Sequence, residues 1–296
     1  MKNTSFEVVV TGGSYAGLSA ALSLGRALRN TLIIDSGKPC NAQTPHSHNF
    51  LTQDGSTPAE ISELSRKQVA AYPTVSFLQD EVIELSGTDL AFEILTTKGR
   101  LIKSKKVILA TGIKDILPEI GGLKNCWGIS AIHCPYCHGY EFRTERTGIL
   151  MNGEAAFEQA KLIRQWTKRI FILSNGKPEF SDEQLKTLKE WNIEIVDQRI
   201  SELTHRDGYI ESVRFEDGFE LHLKAVYIRP AFEQHRMIAD LALNLDDFGF
   251  IKTDDFQETS IAGIFAAGDN CTMMRAVANA VSAGTKAGAM VNRALL

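Results

Sequence analysis

The chain has 296 residues, 44% of them hydrophobic and 23% charged, with a net charge of −4. These proportions exclude a disordered chain, and mild acidity without blocks of like charge leaves no basic face for a nucleic acid. No run approaches the roughly 20 apolar residues that cross a bilayer, and the short apolar stretch at residues 8–10 ends in glycines rather than in the cleavage site of a leader.

Residues 6–10 read as a buried strand that runs straight into Gly12-Gly13-Ser14-Tyr15-Ala16-Gly17. A helix-like stretch to residue 29 follows, and a second apolar run, residues 31–34, ends on Asp35. This is a βαβ opening with the glycine pattern of a dinucleotide site. Gly12 permits the tight turn, Gly17 lets the helix pack closely on the strand, and the helix N-terminus faces a pyrophosphate. Asp35 stands roughly 20 residues on, where an acid accepts the adenosine ribose hydroxyls. Ser14 replaces the middle glycine; it is small and adds a hydroxyl. Next comes a polar loop, residues 37–49, that contains His46 and His48. Residues 58–71 read as a helix, and 75–78 and 81–85 as short strands. Residues 106–112 form a strand ending in the small residues Ala110-Thr111-Gly112, through which a backbone can pass close to a cofactor.

The stretch His133-Cys134-Pro135-Tyr136-Cys137-His138-Gly139-Tyr140-Glu141 places two thiols at disulfide distance beside two imidazoles. In a C-x-x-C turn the sulfurs can close a small ring, and a thiolate stabilised by its neighbours becomes a nucleophile near neutral pH. His138 can then give or take the proton of each exchange step. Half of a zinc site and a pair of merely buried cysteines are the competing readings. Zinc would need a second thiol pair, whereas Cys40, Cys126 and Cys271 stand singly, so no metal is expected. An odd count of five cysteines argues for catalytic or free thiols in a cytoplasmic protein rather than a disulfide framework.

Beyond this turn, residues 147–150 read as a strand and 154–166 as an amphipathic helix with Phe157, Ala160, Ile163 and Trp166 on one face. Between them a second dinucleotide fingerprint is expected, yet the chain reads Met151-Asn152-Gly153-Glu154-Ala155-Ala156. A strand over 169–173 ends on Ser174-Asn175-Gly176-Lys177, and Tyr227-Ile228-Arg229-Pro230-Ala231-Phe232 stands where a glycine-bearing strand end would belong. Residues 263–269 form a last strand ending in Gly268-Asp269, followed by a helix-like run over 273–294.

The GGSYAG, ATG and GIFAAGD segments, in this order and with C-P-Y-C between the last two, resemble low-molecular-weight thioredoxin reductases, flavoproteins of the pyridine nucleotide-disulfide oxidoreductase group. The resemblance covers nearly the whole chain. It implies an α/β fold of two Rossmann-like, three-layer ββα dinucleotide-binding domains, the second inserted in the first. The FAD-binding domain would be split over 1–114 and 242–296, around an inserted NAD(P)-binding-like domain over 115–241 that carries the thiols. FAD would be held by Gly12, Ser14, Tyr15, Ala16, Gly17, Asp35, Lys38, Asn41, His48, Asn49, Val82, Ala110, Thr111, Gly112, Gly268, Asp269, Arg275, Ala276 and Val277. In that set Asp269 holds the ribityl chain, Val82 offers backbone to the adenine, and the helix from Arg275-Ala276-Val277 points its positive end at the pyrimidine edge. Cys137 would be the sulfur next to the flavin, Cys134 the one that exchanges with substrate, and His138 the acid/base.

Two departures from the family bear on function. The second fingerprint lacks its first glycine, puts Glu154 near the pyrophosphate, and has no arginine cluster for a 2′-phosphate, so NADP(H) is not expected to bind tightly. His138 stands where these reductases usually carry an aspartate, and the C-H-G-Y-E form is closer to flavin-dependent dithiol oxidases that close disulfides in natural products such as gliotoxin and holomycin. The reading is therefore a FAD-dependent thiol-disulfide oxidoreductase, expected as a homodimer, acting on a thioredoxin-like protein or a small dithiol or disulfide, with no nucleic-acid or membrane partner. A reductase fed by NADPH, a dithiol oxidase using oxygen, a reductase fed by a ferredoxin-type donor and a non-catalytic redox sensor all fit this core.

Overall fold

The computed structural model describes residues 4–296; residues 1–3, included in the leader reading, lie outside the described residues. In chain order come β1 (Ser5–Thr11), α1 (Tyr15–Arg26), β2 (Thr31–Asp35), α2 (Pro58–Ala70), β3 (Val75–Gln79), β4 (Val82–Thr88), β5 (Ala91–Thr96), β6 (Leu101–Leu109) and β7 (Ile113–Ile116). There follow α3 (Leu123–Cys126), β8 (Ala131–Ile132), α4 (Pro135–His138), β9 (Thr147–Leu150), α5 (Gly153–Ile163), β10 (Ile170–Leu173), α6 (Asp182–Glu190) and β11 (Glu194–Val196). The chain ends with β12 (Ile200–Arg206), β13 (Tyr209–Phe215), β14 (Glu220–Leu221), β15 (Ala225–Ile228), β16 (Ala231–Gln234), α7 (Arg236–Asp240), β17 (Ile264–Ala266) and α8 (Val277–Arg293). Contacts divide it into two units. One holds the residues up to Ala42, Asn49–Lys114 and Phe232–Leu296; the other holds Gln43–His48 and Asp115–Ala231.

In the first unit the sheet order is β3-β2-β1-β6-β5-β4, with β17 also paired to β6. β1, β2, β3, β6 and β17 run parallel, and their apolar runs are buried on both faces, as a covered parallel sheet requires. On one face α1 packs against α8, where Gly284 and Gly288 come so close to the Ala16 and Ala20 carbonyls that no side chain would fit. The helix expected to reach residue 29 stops at Arg26. Leu28 turns left-handed at φ 59, and the Arg29 N–H donates to the Leu24 carbonyl in a Schellman-type ending. α2 starts on a reciprocal cap, Thr57 with Glu60, and has Pro58 in its first turn.

The second unit has a parallel sheet, β11-β10-β9-β15-β8, and a three-stranded antiparallel sheet, β12-β13-β14. One face of the parallel sheet buries Ile149, Ile172 and Tyr227 against Ala156, Ala160 and Ile163 of α5; the other packs Leu173 and Val226 against Leu203 and Val213. No helix among the described residues is long and apolar enough to cross a membrane.

Candidate active site

In the first unit the neighbouring parallel strands β1, β6 and β17 end side by side, so Gly12, Ala110-Thr111-Gly112 and Gly268-Asp269 gather at one edge of the sheet. Gly12 has φ 103, and a Cβ there would strike the Ala110 carbonyl; one on Gly17 would strike the carbonyl of Gly12. The floor of this edge is therefore bare backbone. α1 begins at Tyr15 with no acidic residue in its first turn and no hydroxyl cap from Ser14, which leaves its N–H groups for an anion. Asp35 ends β2 and accepts the Gly13 N–H at 3.1 Å, while its other oxygen lies 3.5 Å from Arg66. The Asn41 amide donates to the Tyr15 hydroxyl at 3.1 Å. Val82 opens β4 and is buried; Lys38 and Asn49 are exposed.

Asp269 follows Gly268, where a Cβ would press on the Ala16 methyl, and takes an ion pair with Arg275 at 3.4 Å. The helix expected over 273–294 starts only at Val277, with Ala276 extended at its N-cap and no acid in its first turn. The Cys40 thiol approaches the same Asp269 carboxylate at 3.9 Å. Burial, followed by the neighbouring Asp269 charge, pushes the Cys271 thiol up to about 12. His48 alone of the expected cofactor residues groups with the second unit.

In that unit β8 leads into α4, a single turn carrying both thiols. Cys134 is its N-cap and Pro135 its first residue, and the Cys137 N–H points back to the Cys134 sulfur at 3.2 Å. The two cysteines form a disulfide. Tyr136, exposed, stands edge-on to Trp166 at 5.6 Å. Burial depresses the His138 pKa from 6.5 to about 4, against the raising pull of Glu141 and with help from His48. Near neutral pH the ring is an uncharged base. Glu141 meets His48 Nε2 at 3.5 Å, a pairing that sequence spacing gave no means to find. Among the described residues no group of His, Cys, Asp or Glu is arranged to hold a metal ion.

The second fingerprint is filled by the chain itself. At the head of α5 the Asn152 side-chain oxygen accepts the Gly153 N–H at 2.9 Å and the Glu179 N–H at 3.0 Å, and its amide nitrogen donates to the Lys177 carbonyl at 2.9 Å. Glu154 accepts the Gln184 amide of α6 at 2.6 Å. The loop after β10, which would face the second ribose of a dinucleotide, is bolted to the helix start where a pyrophosphate would lie. An asparagine before a helical run is a legible N-cap; its reach to residues 177–179 is not.

The description "Pyridine nucleotide-disulphide oxidoreductase" matches residues 6–284. The chain belongs to this family. Among relatives, thioredoxin reductase sirT of Leptosphaeria maculans is 34% identical over 97% of this chain and 93% of its own, and thioredoxin reductase tcpT of Claviceps purpurea (strain 20.1) is 33% identical over 98% and 94%. The solved structure of an oxidoreductase from Agrobacterium tumefaciens is 36% identical and superposes with a TM-score of 0.92 over 98% of both chains. The protein is a thioredoxin reductase-like, FAD-dependent disulfide oxidoreductase. Its flavoenzyme character fits the first unit, whose backbone floor at Gly12 and Gly17 is shaped for a ligand rather than for side chains.

Proposed function

We propose that this flavoenzyme works as a dithiol oxidase: it closes a disulfide in a small dithiol, and its electrons leave to dioxygen rather than through a nicotinamide. The observation that carries this reading is the Asn152 bridge, which takes up the first N–H of the helix, that of Gly153, and ties it to the facing loop at Glu179. A dinucleotide needs both free. Burial keeps the His138 ring uncharged near neutral pH, so it is available as a hydrogen-bond and proton acceptor beside the thiols.

In the oxidative direction the substrate's first thiol loses its proton to His138 and attacks the Cys134 sulfur. The Cys134–Cys137 bond breaks, and Cys137 leaves as a thiolate. The substrate's second thiol then attacks the mixed disulfide, so the substrate leaves with its sulfurs joined and Cys134 and Cys137 hold two electrons as thiols. Gly12, Gly17, Asp35, Asp269 and the N-termini of α1 and α8 would hold the FAD, which when bound supplies a two-electron acceptor for that thiol pair. Glu141 and His48 keep the surroundings of His138 ordered. By resemblance the enzyme is read as a cytoplasmic homodimer, which light scattering tests.

The test is anaerobic mixing of oxidised holoenzyme with NADPH, NADH or dithiothreitol while visible flavin absorbance is followed. Prompt bleaching by the dithiol alone, with recovery on admitting air, is expected. Rapid, saturable bleaching by either nucleotide at micromolar concentration would restore the reductase reading, with a thioredoxin-like protein as the partner.

A further inference from the structure

Three neighbouring parallel strands of the second unit start from polar or cationic residues. Arg146 precedes β9, Lys168 and Arg169 precede β10, and Asn192 leads toward Glu194 of β11. Together with one side of α6, where Lys189 sits, they surround a cavity of about 600 Å³. Its walls are apolar: Phe171, Ile193, Ile195 and Leu185. In parallel sheets of this kind ligands sit at the C-terminal ends of the strands, where β8 runs out toward the redox turn and β9 toward Asn152. This cavity lies at the opposite edge of the same sheet and belongs to neither.

Its charge is one-sided. Four cations, Arg146, Lys168, Arg169 and Lys189, face a single carboxylate, Glu194, in a chain whose net charge is −4. Other arginines of the chain take carboxylate partners, as Arg29 with Glu7 and Arg214 with Glu202, though not all do. Among the described residues Arg146, Arg169 and Lys189 enter no ion pair. Arg146 instead lies over the Phe171 ring at 4.9 Å, which leaves its N–H edge for an acceptor, and Lys168 reaches only the carbonyl of Arg164. Unpaired like charges repel, and gathering them around an apolar hollow is favourable when an anion completes the set.

We propose that this cavity is a binding site for a small organic anion: a carboxylate held by Arg146, Arg169 and Lys189, with a flat apolar body against Phe171 and Ile195. A volume near 600 Å³ falls within the range of small-molecule sites, ~300–1,000 Å³, which favours a compact ligand over the acidic face of a protein. The site is independent of the redox chemistry, so it stands or falls apart from the dithiol reading.

The test is isothermal titration of the holoenzyme with 2-naphthoate, beside 2-naphthylmethanol, inorganic phosphate and a hexaglutamate peptide. We expect saturable binding of 2-naphthoate, with the uncharged alcohol and phosphate each at least tenfold weaker. Arg169→Glu should weaken 2-naphthoate at least tenfold, while Lys177→Glu, outside the cavity, leaves it unchanged. Both variants should keep their flavin and their rate of bleaching by dithiothreitol. If Arg169→Glu does not fold, Lys189→Glu on the exposed side of α6 makes the same measurement. No binding of 2-naphthoate, binding indifferent to these charge reversals, or phosphate or hexaglutamate binding as tightly as 2-naphthoate would overturn the proposal.

Discussion

The side chain of Asn152 accepts the backbone N–H of Glu179 at 3.0 Å while capping its own helix at Gly153. Removing it would give up an N-cap and two bonds to the facing loop that are open to water, and losing a helix N-cap costs about 0.5–2 kcal/mol. Asn152→Ala should therefore lower the unfolding free energy by that order, read as a lower urea midpoint at unchanged m-value. NADPH should still bleach the flavin slowly in the variant, because Glu154 remains in the first turn of α5. A variant as stable as the parent would show that the bridge is idle.

His138 gives a pH dependence with a defined sign. The folded-state pKa is about 4 against an ordinary value of 6.5, so between these values the unfolded chain binds a proton that the folded chain refuses. Stability falls as pH drops through that window, and above it His138 adds nothing further. His138→Asn should flatten this acid limb in denaturation measured from pH 7 to 4.5. As a base, His138 stays competent down the same range, so flavin bleaching by a dithiol should show no His138-dependent inflection near pH 6.5. An inflection there that vanishes in His138→Asn would count against the depressed pKa.

Asp269→Ala removes both the expected ribityl contact and the partner of Arg275. FAD should dissociate at least tenfold more readily, read by ultrafiltration and absorbance. Gly17→Ala should be harsher, because its methyl would meet the Gly12 carbonyl, and little flavin should copurify with it. Full occupancy in both variants would move the cofactor elsewhere.

Alkylation separates the thiols. In the oxidised protein at neutral pH, exposed Cys40 should react with iodoacetamide. Buried Cys126, whose thiol burial pushes up to about 11, and Cys271, pushed up to about 12, should stay unmodified. Mass spectrometry after prior reduction should add Cys134 and Cys137. Labelling of Cys271 in the folded protein would contradict the raised pKa of its half-buried thiol.

Much of this was legible in sequence because local pattern and tertiary role coincide. Gly12, Gly112 and Gly268 all stand at positive φ, which glycine takes without strain, and the C-x-x-C turn names its own disulfide. The pKa of His138 was not legible, since it depends on how deeply the ring is covered and on Glu141 and His48, the latter 90 positions away. Residues 43–48 look continuous with the first unit in sequence, yet their contacts are with the second. The resemblance puts the second boundary at 242; contacts change over between Ala231 and Phe232. α6 and the three-stranded sheet went unread because their faces are short and mixed.

The pairing of α1 with α8 has a temporal consequence. Ser23 donates to the Thr285 carbonyl and Arg29 to the Asn292 side chain, so the first βαβ element is finished by residues made 262 and 263 positions later. On the ribosome, α1 emerges with its small-residue face uncovered and must wait through the synthesis of the whole intervening unit, a long loop to close. The second unit, with Gln43–His48 and Asp115–Ala231 already out, has all its parts before β17 and α8 exist. The inserted unit can thus fold before the first is complete, and chaperone dependence should concentrate on the first sheet, whose nascent edge beside β6 stays open until β17 arrives.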